Sequence, residues 1–344
     1  MNNQDKQIVI AITMGDPAGI GPEIIVKALN DPFIRRMAKF VIFGMNEQLV
    51  YAADSAEIEP YWVRHPYEKI SRDYPRNVVV ADYDIYSLPA WVKEPNTVSG
   101  QSSMHFCKDA VRACLNGIFD AVVTAPINKE SWQMAGGKWP GHTEMLADMC
   151  KSPRKSMMFV AKNLRLALAS IHEPLFDLRH KFTIGMVFEP IDLLNDALKK
   201  YFGIESPRIA VAGLNPHAGE NGQFGDEEQR VIRPAIMMAN EVGIKCSGPY
   251  PADSMFIMAI DGKFDGVVAM YHDQGMIPVK LYARSQAVNV TIGLPIIRTS
   301  PAHGTAFDIA GKGIADPDSM KEAIKLAVEM AKIKKGIGGK INAD

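Results

Sequence analysis

The sequence predicts an α/β fold built on largely parallel sheets, and three observations carry that prediction. Short runs rich in Val and Ile recur from end to end, they are apolar on both faces, and helical patterns separate them. The runs are QIVIAIT, KFVIFG, NVVVAD, DAVVTAP, SMMFVA, LRLALASI, PRIAVAGL, DGVVAMY and AVNVTI. A strand wetted on one face alternates apolar with polar residues; these do not, so each is expected to be covered on both sides. Helices are expected over 22–30, 101–116, 190–202, 226–242 and 317–334, the last with Met320, Ile324, Ala327, Val328 and Ala331 on one stripe.

In chain order, the first strand runs into Ile12–Glu23, ITMGDPAGIGPE. A glycine-rich strand-to-helix turn is where many folds cradle phosphate. The spacing argues otherwise: a G-x-G-x-x-G count from Gly19 and Gly21 reaches Ile24, and a P-loop count from Gly15 reaches Ile20. What remains is a corner closed by Pro22 at the first helical position, with Glu23 complementing the helix dipole. Residues 82–100, with two prolines and poor periodicity, read as a long surface connection, and residues 333–344 as a frayed tail.

The chain has 344 residues and a formal net charge of −1, enough length for one large or two medium domains and no electrostatic footprint for nucleic acid or an acidic membrane. It has no apolar run long enough for a membrane span and no secretory h-region, so a cytoplasmic protein is expected. The four cysteines, Cys107, Cys114, Cys150 and Cys246, form no metal-finger spacing; Cys107 and Cys114, seven apart in one helix, are expected to share a buried face.

Chemistry collects after the strands. VVTAP runs into Ile127-Asn128-Lys129, LALAS into Ile171-His172-Glu173, IAVAG into Leu214-Asn215-Pro216-His217, and GVVAM into Tyr271-His272-Asp273. In open α/β sheets ligands bind outside the carboxyl ends of strands, so four such ends suggest one shared site. Each alone reads better as a hydrogen-bonded structural histidine, but His172, His217 and His272 together suit Zn²⁺ or another divalent ion as well as they suit that reading. His142 and Thr143, in PGHTE at a helix start, suit an anion, or Thr143 simply caps the helix. Lys280, Asn289 and Arg298, beside apolar strands, suit a carboxylate or phosphate, with surface ion pairs as the alternative. The block HGTAFDIAGKG from His303 has small residues that admit a flat ligand, with Asp308 as an acceptor.

Over nearly its whole length the sequence resembles the 4-hydroxythreonine-4-phosphate dehydrogenase family of vitamin B6 biosynthesis. TMGDPAGIGPE, TAPINK, GHTE, LNPHAGE, YHDQG, VNVTIGLP and IRTSPAHGTAFDIAGKG stand in that family's order. The first and last blocks are also similar to the isopropylmalate and isocitrate dehydrogenase superfamily. The resemblance implies an isopropylmalate-dehydrogenase-like fold of two α/β domains with an inter-domain cleft, residues 1–125 plus 275–344 on the cofactor side and 126–274 on the metal and dimer side. It implies His172, His217 and His272 as ligands of one divalent ion (Zn²⁺, Mg²⁺ or Co²⁺) at a homodimer interface. It implies His142, Thr143, Lys280, Asn289 and Arg298 as substrate contacts, with Lys280 as the catalytic proton carrier or anion clamp. His303, Gly304, Thr305 and Asp308 correspond to the loop that holds the nucleotide.

The implied reaction is oxidation by NAD or NADP of a secondary alcohol β to a carboxylate in a small phosphorylated hydroxy acid, followed by loss of CO₂. Paralogues act on 4-phosphorylated D-threonate or D-erythronate, and others on dihydrodiol carboxylates; SIHEPLFDL and Trp139 before Pro140 depart from the biosynthetic pattern and leave the substrate open. A phosphate acyltransferase of the same general fold is the alternative from another class.

Overall fold

A computed structural model of the chain describes residues 7–337 and 341. Half of the expected frayed tail is covered; its residues 338–340 and 342–344 lie outside the described residues. Twelve strands are present among the described residues: β1 Val9–Thr13, β2 Lys39–Gly44, β3 Val63–Pro66, β4 Val78–Asp82, β5 Ala121–Thr124, β6 Ser156–Ala161, β7 Leu164–Leu168, β8 Ile209–Ala212, β9 Cys246–Tyr250, β10 Gly266–Ala269, β11 Val288–Ile292 and β12 Ile297–Pro301. All nine runs expected as strands are strands. The chain divides into two compact units, Met1–Pro153 with Leu294–Ile337, and Arg154–Gly293 with Gly338–Asp344. Both boundaries fall C-terminal of 125 and 275, the positions expected from the resemblance.

In the first unit the strand order is β3-β4-β2-β1-β5-β12, parallel throughout. β1, β4 and β5 are buried at every position, the signature of a parallel sheet covered on both faces. The covering helices include Gly21–Asn30, Thr97–Leu115 and Asp318–Lys334, close to the spans expected from periodicity. Cys107 and Cys114 are both buried on the second of these. The connection over residues 83–96 is irregular, as expected, yet it is more than surface: Tyr83 and Leu88 are buried.

In the second unit the order is β11-β6-β7-β10-β8-β9. β7, β10, β8 and β9 run parallel, whereas β11 and β7 are both antiparallel to β6. The antiparallel step is a hairpin: only Lys162 and Asn163 separate β6 from β7, too few for a crossover. Helix Ile184–Phe202 carries the chain from β7 toward β8, capped by Thr183 through Met186 N and ended by Gly203 in the left-handed conformation.

β3, β9 and β12 escaped the pattern reading for separate reasons. β3 and β9 are edge strands holding Pro66 and Pro249, which are tolerated there because an edge leaves N–H groups unpaired. β12, IRTSP, is polar in composition but buried at all five positions.

Candidate active site

The order β7-β10-β8 places three histidine-bearing loops side by side. His172 follows β7, His272 follows β10 and His217 follows β8, so residues 45 and 55 apart in sequence emerge at the carboxyl end of three adjacent parallel strands. The His172 and His272 rings lie 6.1 Å apart between centroids. His272 opens helix His272–Ala283, and its Nδ1 pairs with Asp273 Oδ1 at 2.8 Å, which leaves Nε2 as the nitrogen for a ligand. The His217 ring lies 6.0 Å from that of Phe224. Within one chain, among the described residues, no three His, Cys, Asp or Glu side chains converge closely enough to hold an ion. The fourth strand end, TAPINK after β5, lies in the first unit, where β5 pairs between β1 and β12.

The His217 loop is strained. Residues 217–221 wind left-handed, with φ of +53, +53, +79, +40 and +56°. For L-residues this conformation costs roughly 1–2 kcal/mol each, so it persists only where the surroundings dictate it. Glu228, 1% exposed, is that surrounding: Oε1 accepts from Leu214 N at 2.8 Å and Asn215 N at 2.7 Å, while Oε2 accepts from Asn215 Nδ2 at 3.0 Å. A Cβ on Gly219 would stand 2.6 Å from Glu228 Oε2, so glycine is required for closeness as well as for φ. Glu228 begins one turn of π-helix, Glu228–Ile232, inside the stretch expected as a plain α-helix over 226–242.

Of the remaining candidates in this unit, Lys280 sits exposed on helix His272–Ala283, a correction to its placement beside a strand: IPVKLY continues the helix despite Pro278. Asn289 is on β11, and its Oδ1 is buried without a hydrogen-bond partner. A buried amide oxygen without a donor is costly, and marks a place where a ligand donor fits.

The first unit holds Arg298, His142 and Thr143. Arg298, on β12, is 3% exposed, and its Nε and Nη2 donate to Thr124 Oγ1 at 3.1 and 2.8 Å. Burial lowers its pKa to about 10, which leaves it cationic at neutral pH. It is therefore buried on a strand of the sheet and does not stand on the surface. His142 begins helix His142–Met149; its Nε2 is buried and unpartnered, and its ring packs on the edge of Trp132. Burial first, and the Arg298 charge second, hold its pKa well below the usual 6.5, so it is neutral at pH 7. Thr143 makes no cap bond, which removes the helix-cap alternative.

The opening corner and the HGTAFDIAGKG block turn out to be one construction. Ile20 N donates to Thr305 O at 2.9 Å, and a Cβ on Gly19 would meet Thr305 Cβ at 2.9 Å. Ala315 N donates to Glu23 Oε1 at 2.7 Å, and Lys27 Nζ donates to Gly313 O and Ala315 O at 2.7 and 2.9 Å while pairing with Glu23. His303, Gly304 and Asp308 are exposed on this block and Thr305 is buried. In the opening corner Asp16, fully buried, has a pKa raised by desolvation, with Oδ2 unpartnered. Asp16, Lys27 and Glu228 are residues that pattern reading passed over; Asp-Pro in a turn, a helical lysine and an acid in DEEQR carry no local sign of such partners.

With fold and site described, comparison with known proteins decides the family. The model of "Pyridoxal phosphate biosynthetic protein PdxA" matches residues 36–327. The chain belongs to the PdxA family. A PdxA-family protein of Desulforapulum autotrophicum, named 4-hydroxythreonine-4-phosphate dehydrogenase, is 44% identical over 96% of this chain and 97% of its own. A relative from Oceanobacillus iheyensis, provisionally named D-threonate 4-phosphate dehydrogenase, is 41% identical over 96% of this chain and 99% of its own. The solved 4-hydroxythreonine-4-phosphate dehydrogenase of Klebsiella pneumoniae superposes with a TM-score of 0.84 at 38% identity, covering 94% of this chain and all of that one. PdxA-family membership makes this chain a dehydrogenase, and it disfavours the acyltransferase alternative. No helix among the described residues is long and apolar enough to cross a membrane.

Proposed function

We propose that the chain oxidises and decarboxylates 4-hydroxy-L-threonine 4-phosphate to 3-amino-2-oxopropyl phosphate and CO₂, using NAD or NADP and one divalent ion. The observation that carries this reading is the 44% identity, over nearly the full length, to a protein named for that activity. The emergence of His172, His217 and His272 at the carboxyl ends of three adjacent strands supports it. The donor chemistry fits a borderline divalent ion: three imidazoles, one with its tautomer set by Asp273. When bound there, Zn²⁺, Mg²⁺ or Co²⁺ supplies a Lewis acid that lowers the pKa of the substrate alcohol and stabilises negative charge.

The chain's own residues do the rest. Lys280 Nζ takes the hydroxyl proton, and NAD or NADP held by the block from His303 would supply the hydride acceptor that the oxidation needs. When the carboxylate departs as CO₂, its bonding electrons stay on the substrate carbon, which a proton from Lys280 then quenches. Arg298, kept cationic and clamped by Thr124, presents a planar donor fork to a substrate anion. His142 offers a neutral imidazole and Thr143 a hydroxyl, and Asn289 Oδ1 accepts from a substrate donor. His303, Gly304, Thr305 and Asp308 hold the nucleotide, on a block anchored through Glu23 and Lys27.

Two copies pair as a homodimer. The support is an apolar groove between helices Ala252–Ile260 and His272–Ala283, where Ile257 is 63% and Leu281 78% exposed, on the helix that His272 begins. All four cysteines are free thiols, in keeping with a reducing cytoplasm. The D-threonate 4-phosphate reading is second, favoured by the 41% identity to the Oceanobacillus protein. The deciding experiment gives one enzyme preparation 4-hydroxy-L-threonine, D-threonate and D-erythronate 4-phosphates with NAD or NADP and follows reduced nicotinamide. The first substrate is expected to turn over fastest; reduction with none of the three rejects the proposal.

A further inference from the structure

We propose that Glu228 and Gln274 are positioning residues, a hydrogen-bonded brace that sets the loops of His172, His217 and His272 for metal binding. The proposal rests on the metal reading above. Met270, at the end of β10, is the centre of the brace. Its carbonyl accepts from Ser170 N at 3.1 Å and Ser170 Oγ at 3.0 Å, two residues before His172. Its amide donates to Gln274 Oε1 at 2.7 Å, two residues after His272. Gln274 Nε2 in turn donates to Gly213 O at 2.7 Å, four residues before His217. The Gln274 side-chain amide thus joins the loops of His272 and His217, and the Met270 carbonyl carries the link on to that of His172; the amide's orientation is forced, because reversal would set donor against donor and acceptor against acceptor.

From Gly213 the brace passes to Glu228, which gathers the Leu214 and Asn215 amides and the Asn215 side chain on one buried carboxylate. Burying a carboxylate is expensive, and a residue needed only for packing would be apolar. What Glu228 does here is dictate the path into the left-handed residues 217–221, and so the direction of the His217 ring. The π-turn at Glu228–Ile232 serves the same end, since the extra residue re-aims the helix start toward the loop. Neither side chain needs to touch the ion to decide where the three imidazoles stand.

The test measures Zn²⁺ affinity of the purified full-length protein by competition with a chromophoric chelator, together with hydrogen exchange across residues 213–221 without metal. Glu228→Gln keeps the shape but turns a donor toward Asn215 Nδ2; Gln274→Met removes both bonds of the bridge. Both are expected to leave far-UV circular dichroism unchanged, to weaken Zn²⁺ binding about 10–100-fold at unchanged stoichiometry, and to speed exchange at Leu214 and Asn215. Should Gln274→Met fail to fold, the isosteric Glu228→Gln carries the test. Folded variants that melt earlier but bind Zn²⁺ as tightly as the wild type overturn the brace. A wild type that binds no Zn²⁺ rejects the metal reading instead, and the brace is then judged on exchange alone: unchanged protection across 213–221 overturns it.

Discussion

The strand ends of the two units handle polar groups in opposite ways. The first unit takes its ionisable groups out of water: Asp16 is 0%, Glu23 2% and Arg298 3% exposed, and Asp16 Oδ2, Glu23 Oε2 and His142 Nε2 have no partner. The second leaves its histidines accessible, with the His272 side chain 43% exposed, and spends its buried hydrogen bonds on the backbone behind them. The difference teaches that one α/β plan can place its polar groups in two different settings. In the first unit burial itself tunes the groups, holding His142 neutral and Asp16 above the usual carboxylate range. In the second, the metal site proposed above would depend on loop geometry, because an imidazole ligates where the backbone aims it.

The largest effect that would break this contrast is on the second unit. His217→Ala or His272→Ala is expected to remove the bound divalent ion and lower kcat/KM by about 10³-fold or more, the several kcal/mol a Lewis acid supplies, with the melting temperature nearly unchanged. Elemental analysis alongside rate measurement checks this; full metal content in either variant would dissolve the contrast.

Arg298→Lys probes the first unit. It keeps the charge but loses the fork, so substrate KM is expected to rise about tenfold to a hundredfold, the 1.5–3 kcal/mol of one charge-assisted bond, with metal content unchanged. A KM equal to that of the wild type would place the substrate anion elsewhere.

Gly19→Val sharpens the comparison further. The added Cβ presses on Thr305, so stability is expected to drop by about 1–3 kcal/mol and cofactor KM to rise, again with metal content near normal. Loss of metal from the folded variant would show that the Gly19 corner also supports the histidine loops.

The smallest effect is in pH dependence. His142 has a folded-state pKa below its unfolded value, so below about pH 6.5 the unfolded chain binds a proton that the folded chain refuses. Stability therefore falls as pH drops through that window, by at most about 1.4 kcal/mol per unit, and is unaffected above it. Urea titrations between about pH 7 and 5 are expected to show a shallower decline in His142→Gln than in the wild type; parallel curves would show that His142 titrates normally.

Much of the fold was legible because its cause is local. Runs such as VVVAD and AVVT are apolar at every position since both faces of their strands are covered, and covering both faces is what defines the parallel class. The strands that escaped are those whose cause is not local: β12 is polar because Arg298 points from its buried strand at Thr124, a partner 174 residues away. The candidate site was legible as residue types after strands, and its family as motifs in order. Glu228 and Gln274 were not, since an acid in DEEQR and a glutamine in YHDQG look like solvent-facing helix residues until Leu214, Asn215, Met270 and Gly213 are brought to them.

By itself the sequence determined the α/β class, nine strands, the main helices and the dehydrogenase family, because burial patterns and motifs are written in neighbouring residues. Only the tertiary structure decided that β10 lies between β7 and β8, and hence that the loops of His172, His217 and His272 leave adjacent strand ends of the second unit while TAPINK lies in the first. Strand order is set by how crossover helices pack, a choice made across hundreds of residues that no local spacing encodes.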